Sequence, residues 1–181
     1  MSSNITTLRE VAFLTPGYAF KSVDFGEYEN KVIKIGDILP ETICESLSGV
    51  NILSYPVDKL EKYLCRRGDY LVAMTGNTIG KVGRIVSGKA YANQRVLKVS
   101  AITDVLDPGY LWGILSSSDF YNHIISHIDS HSAQPNISAS SIGSFVIELP
   151  KLEKQQQASS VLMRLEKKIE LNNRINDYLA A

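Results

Sequence analysis

No stretch of this 181-residue chain approaches the ~20 consecutive apolar residues of a membrane-spanning helix. Cysteine is scarce too. Cys44 and Cys65 have no metal-ligand spacing, which excludes a disulfide or zinc framework and predicts two free thiols. There is no excess charge of either sign: 19 Lys+Arg stand against 19 Asp+Glu, so the chain is not a simple polycation that coats nucleic acid. Met1–Glu10 lacks the basic and apolar segments of a secretory signal, and a cytoplasmic protein is expected. What is present is ordinary for a folded protein. With 44% hydrophobic and 21% charged residues the chain can bury a core, and its length predicts one domain plus an appended element.

Residues 1–150 lean towards strands. Short aliphatic runs recur between turn signals: KVIKIG (31–36), DYLVAM (69–74), KVGRIV (81–86), RVLKVS (95–100) and SFVIEL (144–149). One helix is expected to open at Asp107-Pro108, with Asp as cap and Pro in the first turn, and to break near Ser116–Asp119. Strands without regular strand-helix alternation indicate an α+β fold. From Lys151 to Ala181 there is neither Gly nor Pro, and a single helix of ~40–45 Å is expected. Ala158, Leu162, Leu165, Ile169, Asn172, Asn176 and Leu179 follow a 4-3 spacing, the seam of a coiled coil in which the two Asn would set register. The alternative is a helix folded back on its own domain.

Charge is unevenly distributed along this neutral chain. Between residues 59 and 98, nine basic residues face only Glu61 and Asp69, a net of +7, whereas residues 1–58 carry −4. Such a run is compatible with a solvated face, but its company of Tyr, Asn, Thr and Gln is the equipment of a nucleic-acid surface. We therefore expect Lys81, Arg84, Arg66, Arg67 and Lys89 to contact phosphates of double-stranded DNA. Asn77, Thr78, Tyr91, Asn93, Gln94 and Arg95 are expected near the groove, with Asn93 and Gln94 alternatively supporting loops.

Catalytic signatures are missing. GNTIGKV (76–82) has three residues between Gly76 and Gly80 and Val82 after Lys81, so it fails the Walker pattern in spacing and in its magnesium-binding hydroxyl. Gly76, Gly80 and Gly83 are expected at turns and close approaches. His123, His127 and His131 recur every fourth residue but lack the Glu of a helix-borne zinc motif. No G-x-S-x-G elbow and no D/N-P-P-Y/F tetrad for a flipped base is present.

The segments LREVAFLTPGYAFKS (8–22), GDYLVAMTGNTIGKVG (68–83), NQRV (93–96), HSAQPNIS (131–138) and IELPKLEKQQQASSVLMRLEKKIELNNRIN (147–176) resemble, in order and spacing, one repeat of the specificity subunit of type I restriction-modification enzymes. SAQPNIS and the helix opening LP-x-L-x-x-Q followed by KIELNN are the most specific parts. His131, Lys151 and Lys154 depart from the usual Gly, Pro and Glu. The resemblance implies a target-recognition domain over 1–150 and a spacer helix over 151–181 that pairs antiparallel with another helix. It implies no cofactor in this chain, with S-adenosylmethionine, ATP and Mg belonging to the modification and restriction subunits. Because a subunit of that family normally holds two repeats, the single repeat predicts a homodimer; a longer parent chain and a different partner half stay open. Two readings from other classes are a free-standing metal-dependent hydrolase built on the three His and a coiled-coil adaptor without DNA binding.

Overall fold

The computed structural model describes residues 4–129 and 135–180. The chain begins with β1 (Asn4–Thr7), the single turn α1 (Leu8–Val11) and β2 (Ala12–Pro16). It continues through β3 (Phe25–Ile33), β4 (Glu41–Ile43), β5 (Gly49–Val50), the short α2 (Val57–Leu60) and β6 (Leu64–Arg66). Next come β7 (Tyr70–Ala73), β8 (Val82–Ser87), β9 (Lys89–Ala92) and β10 (Val96–Ala101). Helices α3 (Pro108–Leu115), α4 (Ser118–Ser126) and α5 (Ala139–Gly143), strand β11 (Val146–Leu149) and the long α6 (Leu152–Ala180) complete it. This is the expected α+β class.

The strands form a five-stranded sheet in the order β2-β10-β7-β8-β4, a four-stranded sheet in the order β5-β3-β9-β6, and the pair β1-β11. Strand β7 lies at the centre of the larger sheet and is buried on both faces. Its side chains alternate between two cores: Tyr70 and Val72 enter the one beneath the helices, Leu71 and Ala73 the one shared with the smaller sheet. That double burial is why YLVAM, which follows Asp69, is an unbroken apolar run. A third core is aromatic, with Phe20 and Tyr91 buried and Tyr18, Tyr55 and Tyr63 partly so.

Helix boundaries follow the local signals. The Asp107 carboxylate accepts from the Tyr110 amide at 2.9 Å and Pro108 occupies the first turn of α3. The expected break falls between Leu115 and Ser118, where Ser117 Oγ accepts from the Phe120 amide at 3.1 Å and starts α4. Only the first half of KVIKIG is strand, the tail of β3, which starts at Phe25 and stops at Ile33; Ile35 and Gly36 enter a turn.

Helix α6 has 29 residues and, at ~1.5 Å per residue, spans ~43 Å. Its first half docks on the domain through Leu152, Gln155, Ser159, Leu162 and Glu166, every one of them half-buried or buried. From Lys167 to Leu179 every residue is exposed. The docked stripe is therefore shifted from the seam read in the sequence. Leu162 belongs to both, and packs against the core beneath the helices. Leu165, Ile169, Asn172, Asn176 and Leu179 are exposed, and Ala158, also exposed, borders a cavity beside α3. The stripe escaped detection because it is mostly polar: Gln155, Ser159 and Glu166 are held by hydrogen bonds, to which hydrophobic periodicity is blind.

Candidate nucleic-acid interface

The Gly-rich segment between β7 and β8 is a tight turn. Gly76 and Gly80 adopt φ of 69° and 79°, the left-handed region that favours glycine. A Cβ on Gly83 would lie 2.2 Å from the Leu39 carbonyl oxygen, so β8 approaches the neighbouring chain too closely for a side chain. The turn is braced by residues from far along the sequence. The Gly76 amide and Thr75 Oγ1 both donate to the Pro135 carbonyl, at 3.1 and 2.9 Å, and the Ile137 amide donates to the Met74 carbonyl at 3.0 Å.

A second turn, Asn93–Arg95 between β9 and β10, meets the first. The Met74 amide donates to the Arg95 carbonyl at 3.0 Å, and Arg95 Nη1 donates to Asn136 Oδ1 at 3.5 Å. Asn77, Thr78, Lys81, Gln94 and Arg95 thus come together at one end of the larger sheet, Asn77, Gln94 and Arg95 exposed and Thr78 and Lys81 half-buried. Asn136 joins them. It lies inside the SAQPNIS segment but carried no role in the sequence reading, because its place beside Arg95 depends on a contact 41 residues away. Asn93 supports the turn instead: its amide donates to the Ile33 carbonyl at 2.9 Å and its carbonyl accepts from Val96 at 2.8 Å. Tyr18, bridged to Asn93, brings the aromatic core to the rim of this end.

Other members of the basic run go elsewhere. Tyr91 is 7% exposed, its phenol pushed upward by burial; it is an interior ring and takes no place at a groove. Arg66 and Lys89 face each other across the β6-β9 pair at the opposite end of β9, ~13 Å along the strand from Asn93. Arg67 stands in the adjoining turn, exposed like Lys89. Carboxylates interleave there: Arg66 Nη2 is 2.5 Å from Glu61, and Asp69 accepts from the Arg66 amide at 2.8 Å. Folding thus disperses the +7 of the sequence.

Arg84 is paired with two carboxylates within the fold. Its guanidinium donates to Glu41 at 2.6 Å and to Glu166 of α6 at 2.8 Å, and lies 5.0 Å from the Trp112 ring centre. Burial pulls its pKa down, but the two carboxylates outweigh that and hold it above the ordinary arginine value. With one N–H of each terminal nitrogen on a carboxylate, its charge is balanced within the fold and it serves as a structural strut.

His123 and His127 serve local structure. The rings of His123 and His127 lie 4.1 Å apart, with His123 Nε2 on the Ser141 carbonyl and His127 Nδ1 on the His123 carbonyl. His131 lies outside the described residues. Among the described residues no three His, Cys, Asp or Glu side chains gather as a metal site. Cys44 and Cys65 are free and fully buried, and burial, then Glu45, raises the Cys44 thiol to about 11. Among the described residues no helix is long and apolar enough to cross a membrane.

The architecture is thus a strand-rich domain with clustered polar turns at one end and a long helix whose second half leaves it. The chain belongs to the family described as type I restriction modification DNA specificity domain, which matches residues 3–181. Solved structures agree in fold. The HsdS subunit from Thermoanaerobacter tengcongensis superposes with a TM-score of 0.69 at 16% identity, covering 94% of this chain and 39% of that one. A chain from a study of complex assembly and conformational transition of the type I R-M system gives 0.71 at 16%, covering 94% and 40%. The type I restriction-modification S subunit from M. genitalium gives 0.61 at 14%, covering 93% and 41%. This chain therefore spans about 40% of the length of these relatives.

Proposed function

We propose that this chain is a sequence-specific DNA-recognition module of a type I restriction-modification system and performs no chemistry itself. The observation that carries the reading is the meeting of the Gly76–Lys81 turn, the Asn93–Arg95 turn and Asn136 at one end of the sheet, in a chain of the specificity-domain family. Two cations, Lys81 and Arg95, stand there beside amides and hydroxyls able to read base edges, and among the described residues neither forms an ion pair. Arg67, Lys89 and Arg66 make a second, weaker basic edge for flanking phosphates. The modification subunit supplies S-adenosylmethionine chemistry and the restriction subunit supplies ATP- and Mg-dependent chemistry, both in the cytoplasm.

Assembly follows from α6. Its exposed Leu165, Ile169, Leu171, Ile175 and Leu179 need an apolar partner, and a cavity of about 430 Å³ lined by Gly113, Val146, Ala158 and Leu162 runs beside the docked half. A second copy packed antiparallel satisfies both, because a two-fold axis presents each seam to its own equivalent. Two identical heads would then read inverted half-sites across an unread gap.

Co-expression with a modification subunit, followed by mapping of methylated bases, tests the reading. A symmetric, gapped motif is expected. Loss of all methylation specificity, or tight binding of S-adenosylmethionine by the isolated chain, would overturn it. Stoichiometric zinc without DNA affinity would favour a hydrolase built on the histidines.

A further inference from the structure

Helix α6 is bonded to its domain at two points, ~16 Å apart along the helix, with Leu162 packed on the core between them. The first is a pivot. Gln155, 1% exposed, accepts from the Asp107 amide and donates to the Val105 and Pro150 carbonyls, at 2.9, 3.0 and 2.8 Å. Just beyond it α3 and α6 touch so closely that a Cβ on Gly109 would sit 2.8 Å from Ser159 Cβ. One turn further on, Leu162 Cδ2 would lie 3.3 Å from a Cβ on Gly113, so the two helices stay close up to the second bonded point.

The second point is a latch. Both oxygens of Glu166 are used: Oε1 accepts from Trp112 Nε1 at 2.6 Å, and Oε2 accepts from Arg84 Nη1 at 2.8 Å. The donors come from a helix and from a strand, so they restrain Glu166 in two directions. Each donor is itself fixed. Trp112 stacks on Tyr70 with ring centres 5.7 Å apart, and Arg84 is held from its other side by Glu41. Glu166 is also the last residue of α6 that meets the domain before the exposed arm.

We propose that Glu166, gripped by Trp112 and Arg84, sets the angle at which α6 leaves the recognition domain and thereby the number of base pairs between the two half-sites. This rests on the two-headed reading above. The lever arm makes the angle matter: from Ser159 to Leu179 the helix runs ~30 Å, so a tilt of ~10° displaces its tip by ~5 Å, more than the ~3.4 Å step of one base pair. Glu166, Trp112 and Arg84 are positioning residues and touch no base. A purely stabilising role would leave gap discrimination untouched.

The test uses Glu166→Ala and Trp112→Phe in the full chain, with two readouts. Spin labels on Val23→Cys and Asp177→Cys, spin-diluted with unlabelled chain, report the head-to-arm distance; the buried native thiols stay unlabelled. Both variants should broaden that distance distribution. In methylation mapping the half-site bases should stay the same, while discrimination against gaps one base pair longer or shorter falls about tenfold for Trp112→Phe, which loses one charge-assisted hydrogen bond, and further for Glu166→Ala, which loses two. A distance distribution as narrow as the wild type, or unchanged gap discrimination, overturns the proposal. A wild-type motif without a gap would instead overturn the two-headed reading, and the spacing assignment with it, whatever the distances show.

Discussion

The backbone amide of Asp107 donates to the side chain of Gln155, 48 residues later, at 2.9 Å. Through this bond the cap of α3 and the start of α6 become one structural unit, since Asp107 also caps α3 with its carboxylate. Replacing Gln155 by Ala removes three hydrogen bonds and leaves one part-buried donor and two part-buried acceptors without their partner. We expect a loss of about 2–4 kcal/mol in urea denaturation, well above the effect of an exposed glutamine such as Gln156.

The recognition end makes a distinct prediction about salt. Lys81→Ala with Arg95→Ala should lower the slope of log K against log salt by up to about two units and weaken DNA binding. Arg84→Ala should leave the slope nearly unchanged while destabilising the fold, because its charge is spent on Glu41 and Glu166. Salt titrations of the three proteins on one duplex separate these outcomes. An Arg84→Ala slope as low as that of the turn variant would place Arg84 on DNA.

Assembly is open to a direct test. Leu165 and Ile169 are 55% and 60% exposed, so Leu165→Asp with Ile169→Asp should leave each head folded. The variant should sediment as a monomer where the wild type is a dimer, and lose most affinity for a paired site. A monomeric wild type at tens of micromolar would rule out the homodimer.

Alkaline pH should destabilise the protein through its buried thiols and phenol. Burial raises Cys44 from an ordinary 9.0 to about 11, and raises Tyr70 from 10.0 to about 12. Cys65 moves in the same direction, again by burial. For each group the folded state holds its proton more tightly. The stability it contributes is therefore complete below the unfolded value and is lost as pH rises from about 9 towards the folded value. Melting temperatures should be flat up to about pH 8 and fall above 9. Cys65→Ala should make that fall shallower.

Much of the architecture was legible because its causes are local. The Asp107-Pro108 opening, the Ser117 cap and the Gly76 and Gly80 turn depend on a few neighbouring residues, and each lies where its residue types demand. The candidate site was legible only in part. Lys81, Asn77, Thr78, Gln94 and Arg95 meet as a group, whereas Tyr91 turns inward and Arg84 is bound to α6, and Asn136 and Tyr18 gave no sequence signal of their own.

By itself, then, the sequence determined the α+β class, the turn positions and the uninterrupted C-terminal helix, all consequences of backbone preference and short-range periodicity. Tertiary structure decided which charges remain available and which face of α6 stays open. Arg84 and Glu166 are 82 residues apart in the chain, and their pairing exists only because β8 and α6 both reach Trp112 of α3. No local pattern encodes such a meeting, because a side chain's partner is chosen by the fold as a whole.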